Sequence, residues 1–173
     1  MHDPTSRWTN TDNAWPAYAP DEILPGLWQG GTEDHHVIGN PIPVDHYRFQ
    51  FPFDFVVTLY ADAQPAPWGV QELRFGFYDA GLTPENAKIA IEIAQIAYDQ
   101  WQRGRRVLIR CQAGVNRSGL ISALVLMLHG HSADDAIALL RYRRSPLVLF
   151  NRDFEHWLRE SAEAALMQHP SAA

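Results

Sequence analysis

Several short runs of the chain are apolar at nearly every position, and others repeat their apolar residues at helical spacing. Phe55-Val56-Val57-Thr58-Leu59-Tyr60 is continuous, aromatic and β-branched, the pattern of a strand buried on both faces. Arg106 to Arg110, around Val107-Leu108-Ile109, reads as a second such strand. Leu73 to Tyr78 alternates, with Leu73, Phe75 and Phe77 on one side, and predicts a third. Ile23 to Gly31 reads as a turn and a short strand closed by Gly30-Gly31, and Pro65, Pro67 and Gly69 mark a loop. Thr83-Pro84-Glu85 opens a helix, with Thr as N-cap, Pro at the first position and Glu in the first turn. Its predicted inner face is Ile89, Ile93, Ile96, Ala97 and Trp101, and Gly104 ends it. Gly119 to His129 is apolar on all sides, as a buried helix is. Ser132 caps a further helix with Ala136, Ile137 and Leu140 inward, Pro146 stops it, and Asn151 to Met167 forms the last. Buried strands interleaved with helices predict an α/β single domain, a central, mostly parallel sheet of about four to five strands flanked by helices.

At 173 residues, with 46% hydrophobic and 20% charged residues, the chain suits one domain with a sizeable core. Residues 1–22 are set apart as an N-terminal extension and 23–168 as the folded domain. Residues 33 to 53 are rich in Pro, His and aromatics, and Pro41, Pro43 and Pro52 argue against a long helix there. His35 and His36 are adjacent, which aims them poorly at one metal ion, so they read as loop surface. No signal peptide is visible, and the longest apolar run, Leu120 to Leu128, is far short of the roughly 20 residues of a membrane span. One cysteine cannot form an internal disulfide, which fits a reducing, cytoplasmic setting. Net charge is −6, yet nine of the 14 basic residues, all arginine, lie between Arg103 and Arg152, opposed there only by Asp134 and Asp135. That stretch carries about +7 and predicts either solvated helix faces or a positive field around an anion site.

The anion site has a definite candidate. Cys111 and Arg117 stand six positions apart in Arg110-Cys111-Gln112-Ala113-Gly114-Val115-Asn116-Arg117-Ser118-Gly119, after a strand and before a helix. A strand that stops, a short glycine-containing loop and a helix that begins gather unpaired N–H groups and partial positive charge. A thiol in that ring sits in positive potential, which favours its thiolate, the nucleophilic form. Arg117 adds a planar fork able to hold two phosphate oxygens. Nucleophile and anion clamp in one loop point to phosphoryl transfer to sulfur, with Gln112, Ala113, Gly114, Val115, Asn116 and Arg117 as the phosphate-binding loop. The leaving oxygen needs a proton. Asp79, after a strand and before the capped helix that feeds the cysteine strand, is the candidate acid; Asp54 and Asp62 are its rivals.

Cys-x5-Arg-Ser-Gly resembles the signature of the cysteine-dependent protein tyrosine phosphatases, and the short chain resembles their dual-specificity branch. The resemblance covers roughly residues 23 to 160. It implies a phosphocysteine intermediate formed on Cys111, Arg117 on the equatorial oxygens, Asp79 as acid and then base, and Ser118 bonded to the departing thiolate, a hydroxyl that can also cap the helix. It implies phosphorylated protein substrates, on tyrosine or on serine and threonine, and calls for no metal or other cofactor. Asn151-Arg152-Asp153-Phe154 resembles the family's Asn-x-x-Phe, with Asn151 an N-cap. Arg141, Arg143 and Arg144 read as a solvated helix end or as contacts to a second acidic group of the substrate. Two features depart from the family: residues 33–53 lack the usual helix, and Arg110 replaces the His that normally precedes the cysteine. Other readings stay open: an RNA 5′-triphosphatase, faintly suggested by Val115-Asn116; a phosphoinositide phosphatase, though the loop lacks lysine; a non-catalytic phospho-binding module; and a sulfurtransferase carrying a persulfide. Neither a membrane nor a nucleic acid is an expected partner, and no oligomeric state follows from the sequence.

Overall fold

A computed structural model describes residue 16, residues 18–32 and residues 52–169. Five strands form one sheet: β1 (Asp21–Leu24), β2 (Leu27–Gly30), β3 (Phe55–Thr58), β4 (Gln71–Arg74) and β5 (Val107–Arg110). Their order is β1-β2-β5-β3-β4. Only the β1–β2 hairpin is antiparallel; β2–β5, β5–β3 and β3–β4 are parallel. β3 and β5 are buried at every position, as their unbroken apolar runs require.

Five helices follow among the described residues: α1 (Pro84–Gln102), α2 (Arg117–Leu128), α3 (Ala133–Arg143), α4 (Arg152–Glu160) and α5 (Ala162–Gln168). Side chains alternate along a strand, so Phe55, Val57, Val107, Ile109 and Cys111 share one face, and the core of these helices gathers on it. α2 lies in the middle, buried from Arg117 to Leu126. The other face carries a small cluster of Phe53, Val56 and Leu108 beside Trp28 and a polar group centred on Glu72.

The caps are where the sequence places them. Thr83 Oγ1 accepts from Asn86 N–H, Ser132 Oγ from Asp135 N–H, and Asn151 Oδ1 from the N–H groups of Asp153 and Phe154. Four expectations are corrected. β4 is Gln71–Arg74 rather than Leu73–Tyr78, because its partner β3 stops at Thr58. Phe75 and Phe77 still pack against the core from the chain beyond the strand, where Phe75 N–H donates to Thr58 O (3.0 Å) and Phe77 O accepts from Arg117. On α1, Ile96 is 43% exposed, and the buried stripe is Ala87, Ala90, Ile91, Ile93, Ala94 and Ala97. Small residues there let α1 lie close to α2. The last helix is two, broken at Ser161 (φ −131°, ψ −27°), where the chain turns Ala162 into the core. β1 starts at Asp21, within the stretch set apart as an extension. Of the remaining expectations, those for residues 33–51, including His35 and His36, and for residues 1–15 lie outside the described residues.

Candidate active site

β5 ends at Arg110 and α2 begins at Arg117, so Cys111 to Asn116 is a loop at the carboxyl edge of the central strand. Every carbonyl of this loop is held from outside. Thr32 donates its hydroxyl to Cys111 O (3.1 Å) and its N–H to Gln112 O (2.8 Å). Arg144 reaches Ala113 O (3.3 Å) and Gly114 O (3.0 Å), and Gln29 Nε2 also donates to Gly114 O (3.1 Å). Leu149 N–H meets Val115 O at 3.4 Å, and Asn116 O accepts from Leu120 N–H, the first bond of α2. Carbonyls turned outward leave the amides lining the inside, the arrangement that binds an anion.

Cys111 is 2% exposed at the centre of this ring. Its Sγ accepts from Gly114 N–H (3.2 Å) and lies 3.3 Å from Ser118 Oγ. Gly114 has φ +72°, and a Cβ there would come 2.4 Å from Gly30 C and 2.6 Å from an Arg144 nitrogen, so only glycine lets the loop sit against β2. The cap of α2 is Asn116, not Ser118; the serine hydroxyl faces the thiol instead. Arg117 is nearly buried. Its Nη1 donates to Leu59 O and Phe77 O, while its buried Nε has no protein partner. An unpartnered buried donor is costly, and here it belongs to a residue that lines the pocket around the thiol.

Asp79 sits across the mouth. Its Oδ2 accepts from Asn116 Nδ2 (2.9 Å) and its Oδ1 from Asn151 Nδ2 (2.8 Å). Asn116 Oδ1 accepts in turn from Asn151 N–H. Two amides, one from the loop and one from the cap of α4, therefore hold the carboxylate. The rivals lie elsewhere: Asp54 grips Arg106 through three bonds that, with the charge of Arg106, hold its carboxyl below the ordinary 3.8, and Asp62 is on an exposed turn. The pocket, about 270 Å³, is lined by Tyr18, Asp79, Cys111, Arg117, Phe150 and the loop between them. A larger groove of about 690 Å³ near Met127, Leu158 and Met167 holds neither cysteine nor a phosphate loop.

Sequence reasoning missed what the arginines do. Arg144 is fully buried rather than solvated, and besides the loop carbonyls it bonds Ala19 O (2.7 Å) and Asp21 Oδ2 (2.9 Å). Burial pushes its pKa down, against the pull of Asp21 and Cys111, but a guanidinium stays charged. Arg110, in place of the expected His, turns to the sheet's other face. There it bonds Thr58 Oγ1 (2.9 Å), Gln64 O (2.6 Å) and Glu72 (3.2 Å). Glu72 also accepts from Thr58 Oγ1, Ala66 N–H and Arg74. Burial pushes the Glu72 carboxyl up, but these bonds and cations outweigh it and hold it below the ordinary 4.5. Five of the nine arginines in the arginine-rich stretch pair with carboxylates, which offsets part of its sequence charge. Arg103 pairs with Asp99, Arg106 with Asp54, Arg110 with Glu72, Arg141 with Glu155 and Arg144 with Asp21. No described helix is long and apolar enough to cross a membrane.

A parallel sheet whose central strand feeds a thiol-centred loop at a helix N-terminus is the architecture of the cysteine-based phosphatases. The mouse putative dual specificity phosphatase, solved with zinc tungstate, superposes with a TM-score of 0.68 at 21% identity, over 90% of this chain and 95% of that one. Human DUSP28 gives 0.67 at 20% identity, over 87% and 97%. The human tyrosine phosphatase-like serine/threonine/tyrosine-interacting protein gives 0.66 at 21%, over 87% and 99%. Residues 70–164, more than half the chain, match the family model "Dual specificity phosphatase, catalytic domain", and the chain belongs to that family. In sequence it is 32% identical over 91 residues to the tyrosine-protein phosphatase CDC14 of Saccharomyces cerevisiae; the match takes in 52% of this chain and only 16% of that protein.

Proposed function

We propose that the chain is a protein phosphatase that hydrolyses phosphomonoesters of tyrosine and of serine or threonine through a phosphocysteine intermediate. One observation carries the reading. The thiol of Cys111 lies within hydrogen-bond reach of Gly114 N–H and Ser118 Oγ, inside a loop with all its carbonyls tied outward, beside the open Nε of Arg117. In the first step the Cys111 thiolate attacks phosphorus, the S–P bond forms and the P–O bond breaks. Asp79 gives its proton to the leaving oxygen. Loop amides and Arg117 hold the equatorial oxygens. In the second step water attacks phosphorus, Asp79 takes its proton, and the S–P bond breaks to release inorganic phosphate. Gly114 N–H and Ser118 Oγ then receive the thiolate.

The pocket supports a phosphorylated side chain as substrate. The cavity over the thiol is about 270 Å³, room for a phosphate carried on a side chain. Five of the nine clustered arginines are paired with carboxylates, which weakens the case for a track along an RNA backbone. A binding module would not need Asp79 held at the mouth of the pocket, and a persulfide carrier would not need Arg117. We place the catalytic domain from Tyr18 through α5, and the protein in the cytoplasm, where its single thiol stays reduced.

The test is hydrolysis of p-nitrophenyl phosphate from pH 4 to 9 in EDTA. Activity is expected to vanish with Cys111→Ser. It should fall about 10²–10⁴-fold with Asp79→Ala, with loss of the basic limb of the profile. Turnover surviving Cys111→Ser would overturn the mechanism. An inert wild type that binds phosphopeptides as tightly as Cys111→Ser would mark a binding module.

A further inference from the structure

Two aromatic rings stand at the mouth of the phosphate pocket, and neither belongs to the signature. Tyr18 lines it from the segment before β1, and Phe150, 52% exposed, lines it from the loop between α3 and α4. Tyr18 lies outside residues 70–164, the stretch that matches the family model.

The backbone next to each ring is held by a buried or half-buried arginine at the end of α3. Arg144 Nη1 donates to Ala19 O at 2.7 Å, and Gly31 N–H donates to Tyr18 O at 2.9 Å. Gly31 also makes room for the ring: a Cβ there would come 2.9 Å from Tyr18 Cδ1 and 2.9 Å from Gln112 O. On the opposite side, Leu149 has φ +60°, a left-handed conformation that is strained for a leucine. It is fixed there by Arg141, whose Nε donates to Val148 O (3.0 Å) and whose Nη2 reaches Leu149 O (3.3 Å) and Glu155 (2.8 Å). The strained residue immediately precedes Phe150 and sets the direction in which the ring leaves the chain. Strain that the surroundings enforce tends to sit at functional positions.

We propose that Tyr18 and Phe150 are specificity-determining residues: they flank the ester oxygen of a bound phosphate and favour a flat aryl leaving group over an alkyl one. The inference rests on the phosphatase reading above. An aryl ring between them makes face or edge contacts worth about 0.5–1.5 kcal/mol per pair, whereas the short methylene of phosphoserine leaves both rings uncovered. Arg141 and Arg144 act through the rings as positioning residues and touch no substrate.

The experiment compares kcat/KM for two peptides of one sequence, carrying phosphotyrosine or phosphoserine, in wild type, Tyr18→Ala, Phe150→Ala, the double variant and Tyr18→Phe. The aryl-to-alkyl ratio is expected to fall about two- to tenfold in each alanine variant and further in the double one. Tyr18→Phe should keep it, because the ring rather than the hydroxyl does the selecting. An unchanged ratio in the double variant, with activity intact, overturns this inference and leaves the phosphatase reading standing. Equal losses on both peptides also overturn it. A wild type that turns over neither peptide, nor p-nitrophenyl phosphate, overturns the phosphatase reading and this inference with it.

Discussion

Replacing Arg144 by methionine tests the idea that the phosphate loop is shaped from behind. Methionine fills much of the space but donates nothing. Gly114 O keeps Gln29, so the change strips partners from Ala113 O, Ala19 O and the Asp21 carboxylate. The side chain of Asp21 is 29% exposed, so water can reach it, but the two carbonyls lie beside a fully buried side chain. An unsatisfied buried group costs about 1–3 kcal/mol, and breaking one side of a buried ion pair about 3–5. We therefore expect a loss of about 4 kcal/mol, a large part of the 5–15 kcal/mol typical of a domain. With a urea slope of about 2 kcal/mol/M, the unfolding midpoint should fall by about 2 M. Loosened carbonyls also let the loop amides turn, and misplacement on the ångström scale can lower kcat/KM about a hundredfold. Arg144→Lys should recover less than half of either loss, since one ammonium cannot span three acceptors. A midpoint drop below about 0.5 M, or unchanged kcat/KM in the folded variant, would refute the reasoning.

Gly114→Ala should cost about 3 kcal/mol or more and abolish turnover, since its φ is +72° and its Cβ meets the β2 backbone at 2.4 Å. Gly104→Ala, at φ +79° but in open space, should cost only about 1 kcal/mol by urea unfolding. Glu72 has its carboxyl held below 4.5 when folded, so its contribution is complete above about pH 4.5 and drains away as pH falls through the lower folded value. Glu72→Gln should thus be less stable at pH 7 and lose less on acidification; urea midpoints falling in parallel for both proteins between pH 5 and 3 would contradict this. Asn116→Ala removes one of the two amides on Asp79 and should lower kcat about tenfold on p-nitrophenyl phosphate with little change in KM.

The site's primary chemistry was legible in one stretch of sequence because it is local. Cys111, Gly114, Arg117 and Ser118 are spaced by a single strand–loop–helix passage, and the capped start of α1 and the N-cap Asn151 carry their own turn signals. The buried strands and their parallel order follow from unbroken apolar runs alternating with helical periodicity. Nothing local says where a charged side chain ends once the chain is compact. Arg110 and Arg144 look alike in sequence, yet the alternation of β5 turns the first to Glu72 across the sheet, and the end of α3 turns the second beneath the loop. Asp79 becomes a candidate acid by its place between a strand and a capped helix and by the family resemblance, but the two amides that hold it come from positions 37 and 72 residues away. The sequence by itself determined which groups can attack and clamp a phosphate, because that depends on residue type over seven positions. The tertiary structure decided which side chains hold the loop carbonyls and which rings line the pocket, because those contacts close loops of up to 125 residues and no local pattern encodes them.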